Sequence, residues 1–220
     1  MEEFENKNIN EDSSIIEDKP EKSEETVSSR YNWKRELLDW VQSIAIALVI
    51  AFLLKNYVLT LAKVDGPSME PTLKTADRMY VNKVMYTPQK GDVVIFEPAS
   101  DPGRPYIKRV IATAGDKLYI DFATGDVYVN DEIIDEPYIK EPTRLMGSYI
   151  NLLLITNNYS KEKPIVIEDG YFFAMGDNRN SSKDSREIGP IPMDELLGHA
   201  VFRFWPLSEL GSVDYDYTKN

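Results

Sequence analysis

Apolar residues are sparse over residues 1–36, nearly continuous over 40–54, and broken into short alternating runs beyond 62. The continuous run reads WVQSIAIALVIAFLL, with Gln42 and Ser43 as its only polar side chains. A membrane span needs about 20 mostly apolar residues. Residues 37–59 meet that need if Asp39 lies among headgroups and Lys55 extends its amine outward. Trp40 and Tyr57 then sit near the two interfaces. A transmembrane helix over 37–59 is therefore predicted. Two other readings stay open. A buried helix of a soluble protein is one, although such helices are rarely apolar on every side. A cleaved leader is the other: Thr60-Leu61-Ala62 offers small residues, but the preceding segment is too long and too acidic for that role.

Beyond residue 62 the pattern predicts strands of four to eight residues. They cover 78–84, 92–96, 106–112, 117–121, 127–130, 165–167, 171–175 and 199–205. Gly, Pro, Asn and Asp punctuate them, as in Pro102-Gly103, Thr124-Gly125-Asp126 and Asp169-Gly170. Segments 117–121 and 127–130 read as a hairpin. One short helical turn is expected near 193–197. The expected fold is mostly β: one transmembrane helix followed by an antiparallel β-rich domain over 60–220. Residues 140–163 fit no element and read as an inserted loop or small subdomain.

Charge completes the outline. Residues 1–30 hold ten acids against four bases, half of the chain's net charge of −12. With so few apolar residues, 1–36 reads as a disordered acidic tail. Net acidity argues against nucleic-acid binding. Cysteine is absent, which excludes disulfides and thiolate chemistry, and His199 is the only histidine. Histidine-rich zinc sites are thereby excluded, and a Ser-His-Asp triad would depend on His199 alone.

Three segments are candidates for chemistry. Ser68 lies between Pro67 and Pro71, just past Gly66. It is either an ordinary turn residue or a presented hydroxyl. Lys108 shares a strand face with Tyr106 and Val110. It is either an edge-strand guard or a desolvated amine of lowered pKa. Residues 176–189, GDNRNSSKDSREIG, are either a disordered surface loop or an ordered polar network.

Together these segments resemble the type I signal peptidases, in particular the single-anchor kind of Gram-positive bacteria. The likeness runs over nearly the whole chain after residue 37. Ser68-Met69-Glu70-Pro71-Thr72-Leu73 matches the family's nucleophile box, and 77–84 the next. Residues 90–96 with 106–111 match the lysine box, and 176–189 the last. The resemblance implies that Ser68 is the nucleophile and Lys108 its general base. It implies that Ser182 orients the lysine, while Asp184 and Arg186 form a structural pair. Val64, Leu73, Tyr106 and Ile107 would line pockets for small residues at −3 and −1 of the substrate, with Met69 beside the nucleophile. Many relatives carry Ser or Thr where this chain has Gly66, so Gly66→Ser is expected to be tolerated.

A Ser-Lys pair needs neither metal nor cofactor. The implied substrates are secretory preproteins, bound as extended strands, and the implied surroundings are membrane lipid. A monomer is expected, with residues 1–36 cytoplasmic and 60–220 outside the cell membrane. Lys34 and Arg35 agree mildly with that orientation. Two other functions stand beside this one: a non-catalytic relative that binds signal peptides, and a self-cleaving Ser-Lys repressor. The apolar span and the lack of a DNA-binding segment speak against the repressor.

Overall fold

The computed structural model describes residues 33–53, 59–84, 86–145 and 159–217. The tail over 1–32, the flank containing Lys55 and Tyr57, and most of the segment expected to be an insertion lie outside the described residues.

Helix α1 covers Trp33–Leu53, and none of its residues is buried. Its 21 residues are long and apolar enough to cross a membrane, extending roughly 30 Å at 1.5 Å per residue. The helix thus begins four residues before the expected span. Leu59, expected at the end of that span, instead opens a strand.

Among the described residues the β-body holds eleven strands. These are β1 (Leu59–Lys63), β2 (Arg78–Asn82), β3 (Val93–Phe96), β4 (Tyr106–Thr113), β5 (Lys117–Ile120), β6 (Val127–Val129), β7 (Glu132–Ile133), β8 (Ile165–Val166), β9 (Tyr171–Met175), β10 (Ile191–Pro192) and β11 (Leu196–Trp205). Every pairing is antiparallel. Seven strands form one sheet in the order β1-β2-β11-β3-β4-β9-β10, and four form a second, β7-β6-β5-β8. All eight expected strands are present, and the expected hairpin pairs Leu118 with Val129. The additional strands β1, β7 and β10 have two to five residues. The expected turn near 193–197 is a 3-10 turn over Met193–Glu195.

Strand β4 is central, with β3 on one side and β9 on the other. Val110, Ile111 and Ala112 are all buried, as suits a strand covered on both faces. Ile111, Leu118, Ile120, Val127, Phe173 and Met175 share one core cluster. A second cluster joins Val64, Met69, Leu73, Met79, Val81, Val93, Ile95, Ala200 and Val213. Strand β11 follows β2 only through register shifts at Ala200/Phe202 and Arg203/Trp205, the irregularities by which a strand bends. Helix α2 (Ser185–Ile188) is one turn, capped by Asp184.

Candidate active site

Ser68 sits on a turn fixed from both sides. Val64, Met69 and Leu73 are each at most 2% exposed and insert into the core. The Val64 N–H donates to the Asp77 carbonyl (2.9 Å) and the Glu70 N–H to the Pro67 carbonyl (3.0 Å). These anchors leave Ser68 half-buried at the rim of an open groove of about 1140 Å³. The groove runs along Thr60–Lys63 and meets Ser68, Tyr106, Ile107 and Lys108. Of the side chains expected to line pockets, Tyr106 and Ile107 border it. Val64, Met69 and Leu73 do not, because their side chains form the core behind the turn.

Lys108 is 4% exposed although it is a lysine. Its place on a central strand rules out the edge-guard reading. Its Nζ lies 2.9 Å from Ser68 Oγ and 2.8 Å from the Ile107 carbonyl, with which it hydrogen-bonds. Burial pushes the Lys108 amine down from its ordinary value to about 8, against the opposing pull of Asp184. Nearby Arg186 also lowers it.

Segment 176–189 is an ordered polar network. Asp184 and Arg186 are both fully buried, and their side chains meet through hydrogen bonds of 2.8 and 2.6 Å. The Asp184 carboxylate also accepts from the Gly176 N–H (2.9 Å) and the Ser182 hydroxyl (2.6 Å). Burial pushes that carboxyl up, but the Arg186 guanidinium, the Gly176 N–H and the Ser182 hydroxyl together hold it below its ordinary value. Ser182 was expected to orient the lysine. Its hydroxyl instead donates to Asp184, so it reaches Lys108 only through that carboxylate's field.

Two further buried pairs were missed from the sequence. Arg109 grips Asp177 through bonds of 2.9 and 2.8 Å, and Thr72 Oγ donates to the same carboxylate at 2.5 Å. Arg179 forms a two-pronged pair with Glu136, one bond of 2.8 Å, and also donates to Thr143. The partners lie 68 and 43 residues apart. The detectable signal was Arg109 beside Lys108: neighbours on a strand face opposite ways, so one of the two cations had to enter the interior. The network reaches the Ser68 turn's backbone through Asn178. Its N–H donates to the Ser68 carbonyl (3.0 Å) and its Nδ2 to the Pro67 carbonyl (3.1 Å).

Gly66 has φ of +90°, with nothing within 4 Å of a Cβ built on it. Space would admit a serine, but the backbone conformation would not do so freely. The expectation that Gly66→Ser is tolerated is thereby reversed. Pro67 has no N–H, and the Ser68 N–H finds no backbone or side-chain acceptor among the described residues.

His199 stacks on Tyr86 at 4.4 Å and bonds to Asp214 at 2.9 Å, with no bond to Ser68 or Lys108. Asp92, His199 and Asp214 bring possible metal-ligand atoms within 4.8 Å of one another. Hydrogen bonds within the protein already engage all three, including one from Tyr86 to Asp92.

Residues 37–205 match the family model described as signal peptidase, peptidase S26. Signal peptidase IB of Staphylococcus aureus is 39% identical over 182 residues, covering 80% of this chain and 93% of that protein. A probable signal peptidase I-1 of Synechocystis is 37% identical over 178 residues, covering 76% and 82% respectively. A solved signal peptidase I from Enterococcus faecalis is 20% identical, with a TM-score of 0.36, covering 53% of this chain and 99% of its own.

Proposed function

The chain belongs to the signal peptidase family, peptidase S26, and from that membership we propose that it removes signal peptides from secretory preproteins by a Ser68–Lys108 mechanism. The observation that carries this reading is the 2.9 Å contact between Lys108 Nζ and Ser68 Oγ. A serine hydroxyl becomes a useful nucleophile only when a base takes its proton. An ordinary lysine is charged at pH 7. With a pKa of about 8, roughly a tenth of Lys108 is neutral at that pH.

In the reactive form the Ser68 O–H donates to the neutral amine. As Ser68 Oγ attacks the scissile carbonyl, its proton passes to Lys108. The tetrahedral oxyanion forms beside the free Ser68 N–H, a backbone donor of the kind that stabilises such charge. Lys108 then protonates the departing amine, leaving an acyl-serine that water hydrolyses. Asp184, Arg186 and Ser182 maintain the charge environment of Lys108, while the Pro67–Asn178 contact fixes the turn.

Substrate lies extended along β1. That strand is at the sheet edge and its residues line the groove, an arrangement suited to strand addition. Tyr106 and Ile107 limit the space for side chains, favouring small residues at −3 and −1. The anchor α1 holds the body at the membrane, with residues 60–220 outside. Cleavage of a model preprotein, mapped by mass spectrometry, tests this reading. Wild type should cut once after a small-x-small sequence, and Ser68→Ala should not cut. An active Ser68→Ala protein overturns the mechanism, and a wild type that only binds preprotein overturns the enzyme reading.

A further inference from the structure

Residues 211–217 lie past the last strand, yet they are tied to the interior. Gly211 and Arg203 exchange backbone bonds of 2.8 and 3.2 Å. Val213 is 4% exposed and belongs to the core beside the Ser68 turn. The Asp214 carboxylate accepts from the Val93 N–H (2.8 Å) and faces His199 Nε2 (2.9 Å). The Tyr215 N–H donates to the Gly91 carbonyl (3.0 Å). Gly91 has φ of +95°, and a Cβ there would lie 1.8 Å from the Tyr215 carbonyl oxygen. The rings of Tyr215 and Tyr217 meet Tyr138 edge-on at 5.2 and 6.4 Å.

These ties converge on Arg109. Its Nε and Nη2 hold Asp177, while Nη1 donates to the Gly91 carbonyl (2.7 Å) and the Val213 carbonyl (3.1 Å). The segment therefore supplies one of the two carbonyls outright. It braces the other through Tyr215. A buried guanidinium keeps a fixed direction only while its donors are met. From Arg109 the chain of contacts runs to Asp177, then through Asn178 to the Ser68 carbonyl.

We propose that the C-terminal strap 211–217 positions the nucleophile, with Asp214 as the residue that latches it. Clamped between His199 and the Val93 N–H, Asp214 sets the Val213 carbonyl against Arg109. Arg109 in turn fixes the Asp177–Asn178 turn beneath Ser68. Asp214 touches no reacting atom and acts only through this chain. Its effect on turnover rests on the Ser68–Lys108 reading, whereas its effect on the turn does not.

Hydrogen–deuterium exchange of the full-length protein in detergent separates the two. In Asp214→Ala, peptides covering 66–73 and 176–182 should exchange at least tenfold faster, while peptides covering 117–133 keep the wild-type rate. Asp214→Asn, which retains an acceptor for the Val93 N–H, should lie nearer wild type. Preprotein cleavage, measured well below each variant's melting temperature, should show Asp214→Ala with kcat reduced about tenfold and KM within about twofold. Asp214→Asn should recover most of kcat. Unchanged exchange at 66–73 and 176–182 overturns the proposal, as does equal acceleration across 117–133, which marks general support of the fold. A loss confined to KM, or an Asn variant no better than Ala, overturns it too. Failure of the Ser68–Lys108 reading shows instead as cleavage by Ser68→Ala, or none by wild type, with the exchange pattern intact.

Discussion

In the proposed mechanism Lys108 must give up its proton to act, and its burial sets when it does so. Its pKa of about 8 predicts that kcat/KM rises with pH through that region and levels above it. The rise should survive His199→Gln, since the imidazole is bonded to Asp214 and not to the dyad. Lys108→Arg should be inactive, because a guanidinium with a pKa above about 12 cannot accept the proton. Lys108→Met should also be inactive but folded. The sign for stability follows from proton binding. Between pH 8 and the ordinary lysine range the unfolded chain holds the proton more tightly, so wild-type stability rises with pH there. Thermal melts at pH 6 should show Lys108→Met equal to or above wild type, since it buries no charge. At Gly66 the positive φ makes a serine costly. Gly66→Ser should lose about 1–3 kcal/mol, read as a lower urea midpoint. Ser68 and Lys108 were recognisable as a possible pair before any coordinates. Ser182's role was not, because the direction of a hydroxyl leaves no trace in sequence.

Loop 176–189 behaves as a structural element although only Ser185–Ile188 is helical. Three buried arginine–carboxylate pairs give it that rigidity. Removing one partner leaves a buried charge alone, at a cost of about 3–5 kcal/mol. Arg186→Ala should therefore lower the melting temperature by about 10 °C and reduce activity, though less than Ser68→Ala. Wild-type melting and rate would show the pair to be idle. Asp184 and Arg186 were legible as partners because they are two residues apart. Arg109–Asp177 and Arg179–Glu136 were not, since strand pairing rather than chain proximity brings them together. Length decided the legibility of strands in the same way. The eight expected strands carry enough alternation to be recognised. Glu132–Ile133 and Ile191–Pro192 exist only as short ladders on neighbours. Val64, Met69 and Leu73 were recognisable as belonging to the nucleophile turn. Which way they face depends on how the turn meets β2 and β3.

At the scale of the whole molecule, α1 is the one helix among the described residues long and apolar enough to cross a membrane, and orientation is the property to test. Protease added to intact spheroplasts should digest the β-body and spare the acidic tail; digestion of the tail alone would reverse the topology. The apolar helix and the β-rich body were readable from hydropathy alone because they differ in composition. The ties that close the body were not, since they join residues far apart. Strand β2 ends at Asn82, but its partner His199 comes 117 positions later. At about 5–20 residues per second, synthesis leaves that edge unpaired for roughly 6 to 23 seconds. The Arg109 carbonyl partner at Val213 arrives later still. Until then the newborn β-body is an open sheet, and the pace of synthesis sets when it closes.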